Sequence, residues 1–325
     1  MLHIALATIL VGACVTHIYG EQGDVHIRGD EATSLTTRHS TITLFLWSFE
    51  VIYDGESPVD FVSELRLLDR SRQPLKVDEG KVRMNKPLKY HGYRFCQADY
   101  DSDERGVVLA YNYDPWGIGI TYTGYALLLL AMIGFFFQRR TYFRAMLRQQ
   151  HKWLMVGLSV VAIILAFVMT KVVTPKPPLQ PVLQTPLLGI HVSVIMLAYT
   201  LFAVIAINGI VGLCRKNLSE GCYQLSIVLL YPALFCLTAG IFIGAVWANM
   251  SWGRYWGWDP KETWALITML VYALLLHLPW LKGKFQILNL KFQIYYHIFS
   301  VIAFLFVLFT YFGVSYLLGG LHSYA

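Results

Sequence analysis

Seven apolar stretches, each about 20 residues long, constrain this chain more than any other feature. Their interiors contain no Lys, Arg, Asp or Glu, and they cover residues 2–20, 118–137, 153–172, 188–212, 223–247, 262–281 and 293–316. A helix needs about 20 apolar residues to cross the hydrocarbon core of a bilayer. Only 14% of the chain is charged, against about 25% in soluble domains. The pattern predicts an α-helical polytopic membrane protein with about seven transmembrane helices.

The first stretch, residues 1–20, also has the length of a signal peptide. Signal peptides begin with basic residues, and this stretch contains no Lys or Arg. Val11-Gly12-Ala13-Cys14 is similar to a lipoprotein cleavage sequence, but the missing basic residues argue against that interpretation as well. We therefore expect a retained first transmembrane helix.

Basic residues are unevenly distributed between the two sets of short loops. Ten Lys and Arg residues lie in loops 138–152, 213–222 and 282–292, whereas loops 171–187 and 248–262 contain four. Loops rich in Lys and Arg stay in the cytoplasm. This predicts a cytoplasmic N-terminus and an extracytoplasmic C-terminus. The same asymmetry explains most of the formal charge of +6, so that charge does not indicate nucleic acid binding.

The hydrophilic segment 21–117 lies outside in this topology. Its short apolar runs are bounded by turn residues such as Asp54-Gly55 and His91-Gly92, and they cover residues 41–53, 61–68, 92–96 and 107–113. Such runs are typical of strands, so we predict a small extracytoplasmic β-rich domain. Because it has fewer than about 100 residues, its core is modest, and we expect the membrane part or a partner to steady it.

The remaining residues divide into two further parts. Residues 118–172 are predicted to form two transmembrane helices joined by a basic cytoplasmic loop, and residues 173–325 a second membrane domain. Between them, the proline-rich stretch 174–186 predicts an outer loop without helix, since proline interrupts helices.

Five of the nine tryptophans fall within residues 247–264, which we call the tryptophan-rich loop. One interpretation needs no ligand. Asp259, Pro260 and Glu262 have the N-cap, N1 and N3 pattern of a helix start. Tryptophans also form belts at membrane interfaces.

The density of flat side chains favours a second interpretation. Trp252, Trp256 and Trp258 are separated by glycines, which allow a backbone to approach a ligand closely. Indole faces suit a flat aromatic macrocycle, and Arg254 and Lys261 would pair with carboxylates on its rim. The residues alone leave both interpretations open.

The segment Trp252-Gly-Arg-Tyr-Trp-Gly-Trp-Asp-Pro-Lys-Glu262 resembles the "WWD" signature of haem-handling proteins. The similarity is to the CcsA (ResC) part of System II cytochrome c synthases, and it continues through 263–277 and 319–325. The front of the chain, including Asn85-Lys-Pro-Leu-Lys-Tyr-His-Gly-Tyr-Arg-Phe95, resembles a shortened form of the CcsB (ResB) partner. The chain is thus similar to a fused CcsBA synthase.

Four histidines acquire roles from this resemblance. The predicted topology places His191 and His322 at the outer face, where they correspond to the axial ligands of an external haem. His277 and His3 lie near the inner face, where the resemblance implies an internal haem site. Imidazole is a standard axial ligand of haem iron. His297, also near the inner end, is the competing interpretation for His277.

The resemblance also implies the substrate and the reaction. The chain would carry haem b from the cytoplasm to the external site, where the loop residues Trp252, Arg254, Trp256, Trp258 and Asp259 would bind it. It would then join the haem to the Cys-x-x-Cys-His motif of an apocytochrome c. His191 and His322 would be the catalytic residues of this haem lyase, in a bacterial cytoplasmic membrane.

Cysteine usage agrees with thiols supplied by another protein. The chain has five cysteines, only Cys96 lies in the outer domain, and no Cys-x-x-Cys is present. Expected partners are apocytochrome c, thiol-reducing proteins, the lipid bilayer and a further CcsB-like subunit. Two alternatives remain: a haem transporter or chaperone without ligation activity, and a transmembrane electron carrier.

Overall fold

The computed structural model describes residues 1–29, 31–68, 80–138, 143–144, 181–285 and 289–318. The chain forms two compact units. The first contains Met1–Leu128, Lys176–Leu188 and Gly244–Trp256, and the second contains Leu129–Pro175, Gly189–Ile243 and Gly257–Ala325.

A β-sandwich occupies residues 21–113 of the first unit. Its eight strands are β1 (Glu21–Arg28), β2 (Thr33–Thr36), β3 (Thr41–Asp54), β4 (Ser57–Leu68), β5 (Lys81–Arg83), β6 (Leu88–Tyr90), β7 (Tyr93–Tyr100) and β8 (Gly106–Tyr113). They form two antiparallel sheets, in the orders β1-β8-β7-β6 and β2-β3-β4-β5. Alternate residues of both sheets, such as Leu44, Leu67, Phe95 and Leu109, share one buried core.

Two tight turns follow from their sequences. The β3–β4 hairpin turns at Gly55, and the β6–β7 hairpin turns at His91-Gly92. His91 and Gly92 both have positive φ, as the two central residues of a type I′ turn require. At the β3–β4 turn Gly55 has positive φ, which glycine adopts without steric cost. The predicted β-rich domain with turns at Asp54-Gly55 and His91-Gly92 is confirmed.

Two helices flank the sandwich in sequence: α1 (Leu2–Tyr19) and α2 (Gly117–Phe137), of which the first unit contains α2 as far as Leu128. They pack closely because glycines meet the other backbone. A Cβ on Gly12 would lie 2.6 Å from the Thr121 nitrogen, and one on Gly124 would lie 2.9 Å from the Ile9 nitrogen. Small residues at such crossings are typical of helix pairs in membranes.

Four further long helices follow: α3 (Pro186–Cys214), α4 (Ser219–Ser251), α5 (Pro260–Phe285) and α6 (Asn289–Leu308). The chain continues from α6 through one π-helical turn, Phe309–Gly313, into the short α7 (Val314–Leu317). The core of the second unit is apolar and aromatic, with Phe202 stacked on Tyr272 at 3.6 Å between ring centroids.

Six helices among the described residues are long and apolar enough to cross a membrane. They coincide with six of the seven predicted stretches, which confirms a polytopic membrane protein with a small β domain. The seventh stretch, 153–172, lies outside the described residues. The proline-rich stretch 174–186 is described only from residue 181, where Pro181–Leu183 forms one 3-10 turn before α3.

Candidate functional site

The first half of the tryptophan-rich loop belongs to the first unit, and its side chains alternate. Ser251, Gly253 and Tyr255 are buried, whereas the residues between them, Trp252, Arg254 and Trp256, are partly exposed. The segment therefore has one held face and one presented face. The presented face carries three of the residues that the sequence assigned to haem binding.

Three polar contacts hold the buried face. Asn112, at the end of β8, donates a hydrogen bond from its side-chain amide to the Gly253 carbonyl. Ser251 donates to the side-chain oxygen of Asn85, which precedes β6. Tyr255 donates to the Thr16 hydroxyl of α1 at 3.0 Å.

The hydrogen bond from Tyr255 to Thr16 is linked through Asp114 to the start of α2. The Thr16 hydroxyl donates to Asp114 at 2.6 Å, and the other oxygen of Asp114 accepts from the Gly117 nitrogen at 2.7 Å. Asp114 is buried, so both hydrogen bonds lie where water does not compete strongly. One chain of hydrogen bonds thus connects α1, the end of the β-sandwich, the start of α2 and the loop.

Gly253 lies directly against strand β7. Its φ is +73°, a backbone conformation that favours glycine, and an added Cβ would lie 3.1 Å from the Cys96 sulfur. The Cys96 side chain points away from the sandwich core. Its burial raises the pKa of the thiol to about 12, against a smaller opposing effect from the charge of Arg94. Cys96 is therefore protonated and unreactive in this state.

Trp252 packs beside Trp247, with their ring centroids 4.8 Å apart and an edge-to-face angle of 70°. The two rings belong to a small apolar cluster built on Val182, Trp247 and Ala248. Met84, just after strand β5, packs against the same cluster. The residues of this cluster thus fix one side of the Trp252 ring.

The second half of the loop belongs to the second unit and begins with a strained residue. Trp258 has φ +54° and is 70% exposed. A bulky residue in the left-handed region is an outlier. The Glu262 carboxylate accepts hydrogen bonds from the nitrogens on both sides of it, Gly257 at 2.8 Å and Asp259 at 3.2 Å.

The predicted helix start at Asp259-Pro-Lys-Glu262 is confirmed. Asp259 is buried, and its carboxylate accepts from the Lys261 nitrogen at 2.9 Å, while Glu262 reaches back to the Asp259 nitrogen. The first is an N-cap bond to the N2 nitrogen, and the second is the bond by which the N3 side chain of a capping box reaches back to the N-cap. The Lys261 ammonium donates to the Ser315 hydroxyl at 3.0 Å.

His191 lies in the second turn of α3, and its Nδ1 is 2.8 Å from the Gly240 carbonyl of α4. Because a carbonyl only accepts, Nδ1 carries the proton and Nε2 carries the lone pair. Metal-binding histidines typically have this arrangement, with the other ring nitrogen donating to a carbonyl or carboxylate. Gly240 allows the close approach, since a Cβ there would lie 2.5 Å from the end of the Ile195 side chain.

The two candidates for the internal site differ in their surroundings. His277 is exposed on α5, and its Nδ1 donates to the Ala273 carbonyl at 2.7 Å, so its Nε2 also carries the lone pair. His297 is 0% exposed, and its Nε2 lies 3.2 Å from both the hydroxyl and the carbonyl of Ser219. A Cβ on Gly212 would lie 2.4 Å from that nitrogen, which shows how tightly the ring is enclosed.

The other two predicted ligands are His3 and His322. His3 is exposed at the start of α1, in the first unit, whereas His277 belongs to the second. His322 lies outside the described residues. Sequence reasoning did not single out Asn112 or Gly240, because an amide in a strand and a glycine in an apolar helix give no local signal of their partners. For Glu262 the capping pattern was such a signal.

Two family models match the chain. The cytochrome c assembly protein family matches residues 120–322, more than half of the chain, and the ResB-like family matches residues 1–114. The chain belongs to the cytochrome c assembly protein family. The resemblance to a fusion of ResB-like and CcsA-like parts is thereby confirmed at the level of families.

Individual members of this family share shorter stretches with the chain. Protein NrfI of Wolinella succinogenes is 43% identical over 158 residues, which are 45% of this chain and 17% of NrfI. The cytochrome c biogenesis protein CcsA of Chlamydomonas reinhardtii is 37% identical over 173 residues, 49% of this chain and 46% of that protein. CcsA of Porphyra purpurea is 43% identical over 121 residues, 36% and 34% of the two chains. The chain thus spans less than half of the length of these relatives.

The two family matches cover different residues of the predicted site. All predicted site residues except His3 fall within the assembly-family match, and His3 falls within the ResB-like match. The hydrogen bonds from Asn112 to Gly253 and from Ser251 to Asn85 therefore join the ResB-like part to the tryptophan-rich loop of the assembly part.

Proposed function

We propose that this chain acts in cytochrome c maturation as a synthase that carries haem outwards and attaches it to apocytochrome c. The observation that carries the proposal is the hydrogen bond from His191 Nδ1 to the Gly240 carbonyl. It leaves the lone pair on Nε2, the form of imidazole that binds haem iron. Membership of a cytochrome c assembly family supplies the class of substrate.

Haem enters this scheme as a substrate from the cytoplasmic side. His277 and His3 are proposed to bind it first, at the inner face. The exposed ring of His277 and the lone pair on its Nε2 support it as a ligand over the enclosed His297. The basic loops support a cytoplasmic location for this end of the helices, in a bacterial inner membrane, with residues 21–117 and the C-terminus outside.

At the outer face, His191 and His322 are proposed to be the axial ligands of haem b. Trp252, Trp256 and Trp258 would bind the porphyrin through their indole faces, while Asp259 orders the backbone beside Trp258. Arg254 would pair with a haem propionate. The partial exposure of Trp252, Arg254 and Trp256 on one side of the loop supports this assignment.

The proposed reaction adds two thiols of an apocytochrome Cys-x-x-Cys-His motif to the two vinyl groups of haem. Each addition breaks one S–H bond and the vinyl π bond, and it forms one C–S and one C–H bond, with no net oxidation. The chain would contribute orientation, which converts a reaction between two molecules into one within a complex. Thiol-reducing proteins would keep the acceptor cysteines reduced, and a further CcsB-like subunit would complete the assembly.

Co-expression with a reporter apocytochrome in a bacterium without its own maturation system tests this proposal. We expect the wild-type chain to yield covalent cytochrome, detected by haem staining of a denaturing gel. His191→Ala should reduce the yield at least about 100-fold, because the iron loses an axial ligand. His26→Ala is the matched control, since His26 is exposed on the β-sandwich, where its imidazole lies 2.9 Å from the Asp101 carboxylate.

The result of this experiment distinguishes the proposed synthase from a haem transporter or chaperone and from an electron carrier. A b-type haem spectrum in the purified chain without covalent reporter would identify a haem transporter or chaperone instead. Haem that cycles with a quinone in a redox titration would favour the electron carrier. A colourless wild-type preparation from haem-replete cells would contradict all three.

A further inference from the structure

We infer that Asn112 is a positioning residue for the tryptophan-rich loop, so that the ResB-like β-sandwich sets the position of Trp252, Arg254 and Trp256. The inference rests on the proposed function for what those side chains bind. It concerns the described contacts of the first unit. The role it gives to the ResB-like part is to hold the tryptophan-rich loop in position. Asn112 itself would not touch haem.

The hydrogen bond from Asn112 to the Gly253 carbonyl holds the centre of the presented segment. Asn112 is 9% exposed, so this carbonyl is satisfied by a buried side chain and not by bulk water. Removing the donor would leave a buried carbonyl unsatisfied, which costs more than the bond itself contributes. The loop would therefore move towards water when the donor is lost.

The backbone at Gly253 is also fitted to strand β7 by shape. The positive φ and the 3.1 Å approach of a hypothetical Cβ to the Cys96 sulfur both favour glycine at this position. Cys96 faces the loop, since its neighbours Tyr93 and Phe95 belong to the sandwich core and Cys96 does not. Its 2% exposure therefore depends on the loop that covers it.

Hydrogen bonds at residues 251, 253 and 255 attach this segment to the rest of the first unit, and we call this arrangement the clamp. Ser251 is bound to Asn85 and Tyr255 to Thr16, so every second residue from 251 to 255 is held by the first unit. The two side chains between them, Trp252 and Arg254, are partly exposed. Loss of the hydrogen bond to Gly253 would move Trp252 and Arg254 together, because they flank Gly253.

Labelling of Cys96 tests the clamp without haem. In full-length chain whose Cys14, Cys214, Cys222 and Cys236 are replaced by Ser, Cys96 should be protected from a maleimide. At about pH 8, where an aspartate at position 112 is ionised, Asn112→Ala and Asn112→Asp should raise the labelling rate about tenfold or more. Ser63→Ala is the matched control, because it removes another buried hydrogen bond of the same sandwich, 2.7 Å long, to Gln97. Its labelling rate should equal that of the wild type.

The haem absorption spectrum of the same variants tests the positioning role. The spectrum of Asn112→Asp should shift at about pH 8, since an ionised carboxylate repels the Gly253 carbonyl. It should return towards that of the wild type at about pH 5.5, because a buried carboxyl has a raised pKa and donates once it is protonated. Asn112→Ala should show the shift at both pH values, and Ser63→Ala at neither.

These two measurements separate failure of the inference from failure of the proposed function. Unchanged Cys96 labelling in both Asn112 variants would overturn the clamp, whatever the haem content. Faster labelling with an unaltered haem spectrum would overturn the positioning role. A wild-type chain without haem would overturn the proposed function, while the labelling rates would still decide the clamp.

Discussion

His191 and Gly240 form a contact that determines which imidazole nitrogen holds the proton. The 2.8 Å hydrogen bond needs the α4 backbone close to α3, and only a residue without a side chain allows that distance. Ile195, one turn beyond His191, occupies the space in which a Cβ at position 240 would lie. A glycine in a lipid-embedded helix thus acts on a histidine through its carbonyl and its small size.

Gly240→Ala should therefore shift or abolish the haem spectrum of the purified chain. The added methyl group pushes Ile195 and α3 away, so His191 loses the acceptor that orients it. Ile195→Ala in the same chain should restore much of the spectrum, because it vacates the space that the methyl group needs. The measurement is the Soret absorbance per mole of protein, at matched haem supply.

Gly221→Ala is the control for this substitution. Gly221 lies in the same helix, and a Cβ there would meet nothing within 4 Å. Alanine is the better helix former by about 1 kcal/mol, so this variant should be at least as stable as the wild type. An identical loss of haem in both variants would show that the effect comes from the helix and not from His191.

The sequence predicted single residues well where their signal is local. Asp259, Pro260 and Glu262 start a helix by their spacing alone, and the structure confirms them. Gly240 and Asn112 were not predictable, because their partners lie 49 and 141 residues away along the chain. One sequence without aligned relatives carries no information on such pairs.

Among the elements, the N-terminus of α5 combines a helix cap with a strained residue. Trp258 in the left-handed region costs about 1–2 kcal/mol relative to an ordinary conformation. Glu262 offsets this cost, since its carboxylate binds the nitrogens before and after Trp258 at 2.8 and 3.2 Å. The exposed indole is thus held by the first turn of the helix that follows it.

A double-mutant cycle in detergent tests this coupling. Glu262→Ala should lower the free energy of unfolding by about 1–2 kcal/mol. In a Trp258→Gly background the same change should cost clearly less, because glycine adopts positive φ without support. The thermal midpoint, followed by fluorescence, reports both values.

Glu220 provides the comparison for this cycle. It lies in the first turn of α4, and its carboxylate accepts from the Gln224 side chain at 2.7 Å. The cost of Glu220→Ala should not depend on residue 258. If Glu262→Ala costs the same in both backgrounds, Glu262 only caps the helix.

The observed helices and strands show which elements can be predicted from the pattern of apolar residues and which cannot. The apolar stretches predicted six membrane helices within a few residues of their observed ends, because lipid demands continuous apolar sequence. The strands β3, β4, β7 and β8 were predicted from their apolar runs. The strand β1 was not, since only Val25 and Ile27 of its eight residues are buried and the rest are too polar to form a pattern.

At the scale of the whole molecule, the ResB-like and assembly parts are not separate domains. The first unit combines residues 1–114, which match the ResB-like family, with the first part of α2, up to Leu128, and the loop segment Gly244–Trp256 of the assembly family. The chain of hydrogen bonds through Thr16, Asp114 and Tyr255 runs across that family boundary. The sandwich and the loop therefore stabilise each other.

The orientation of the whole chain is the remaining prediction, and the described loops allow a direct test. The loop at Arg215 and Lys216 belongs to the basic set, so it should face the cytoplasm, and the hairpin turn at Glu56 should face outside. In a chain without its native cysteines, Glu56→Cys should react with a membrane-impermeant maleimide in intact cells, whereas Lys216→Cys should react only after the membrane is opened. Both positions are exposed, so a difference in labelling reports the side of the membrane and not burial. Labelling of Lys216→Cys in intact cells would invert the topology and would place His277 on the outer side, which would remove the proposed route of haem from the cytoplasm.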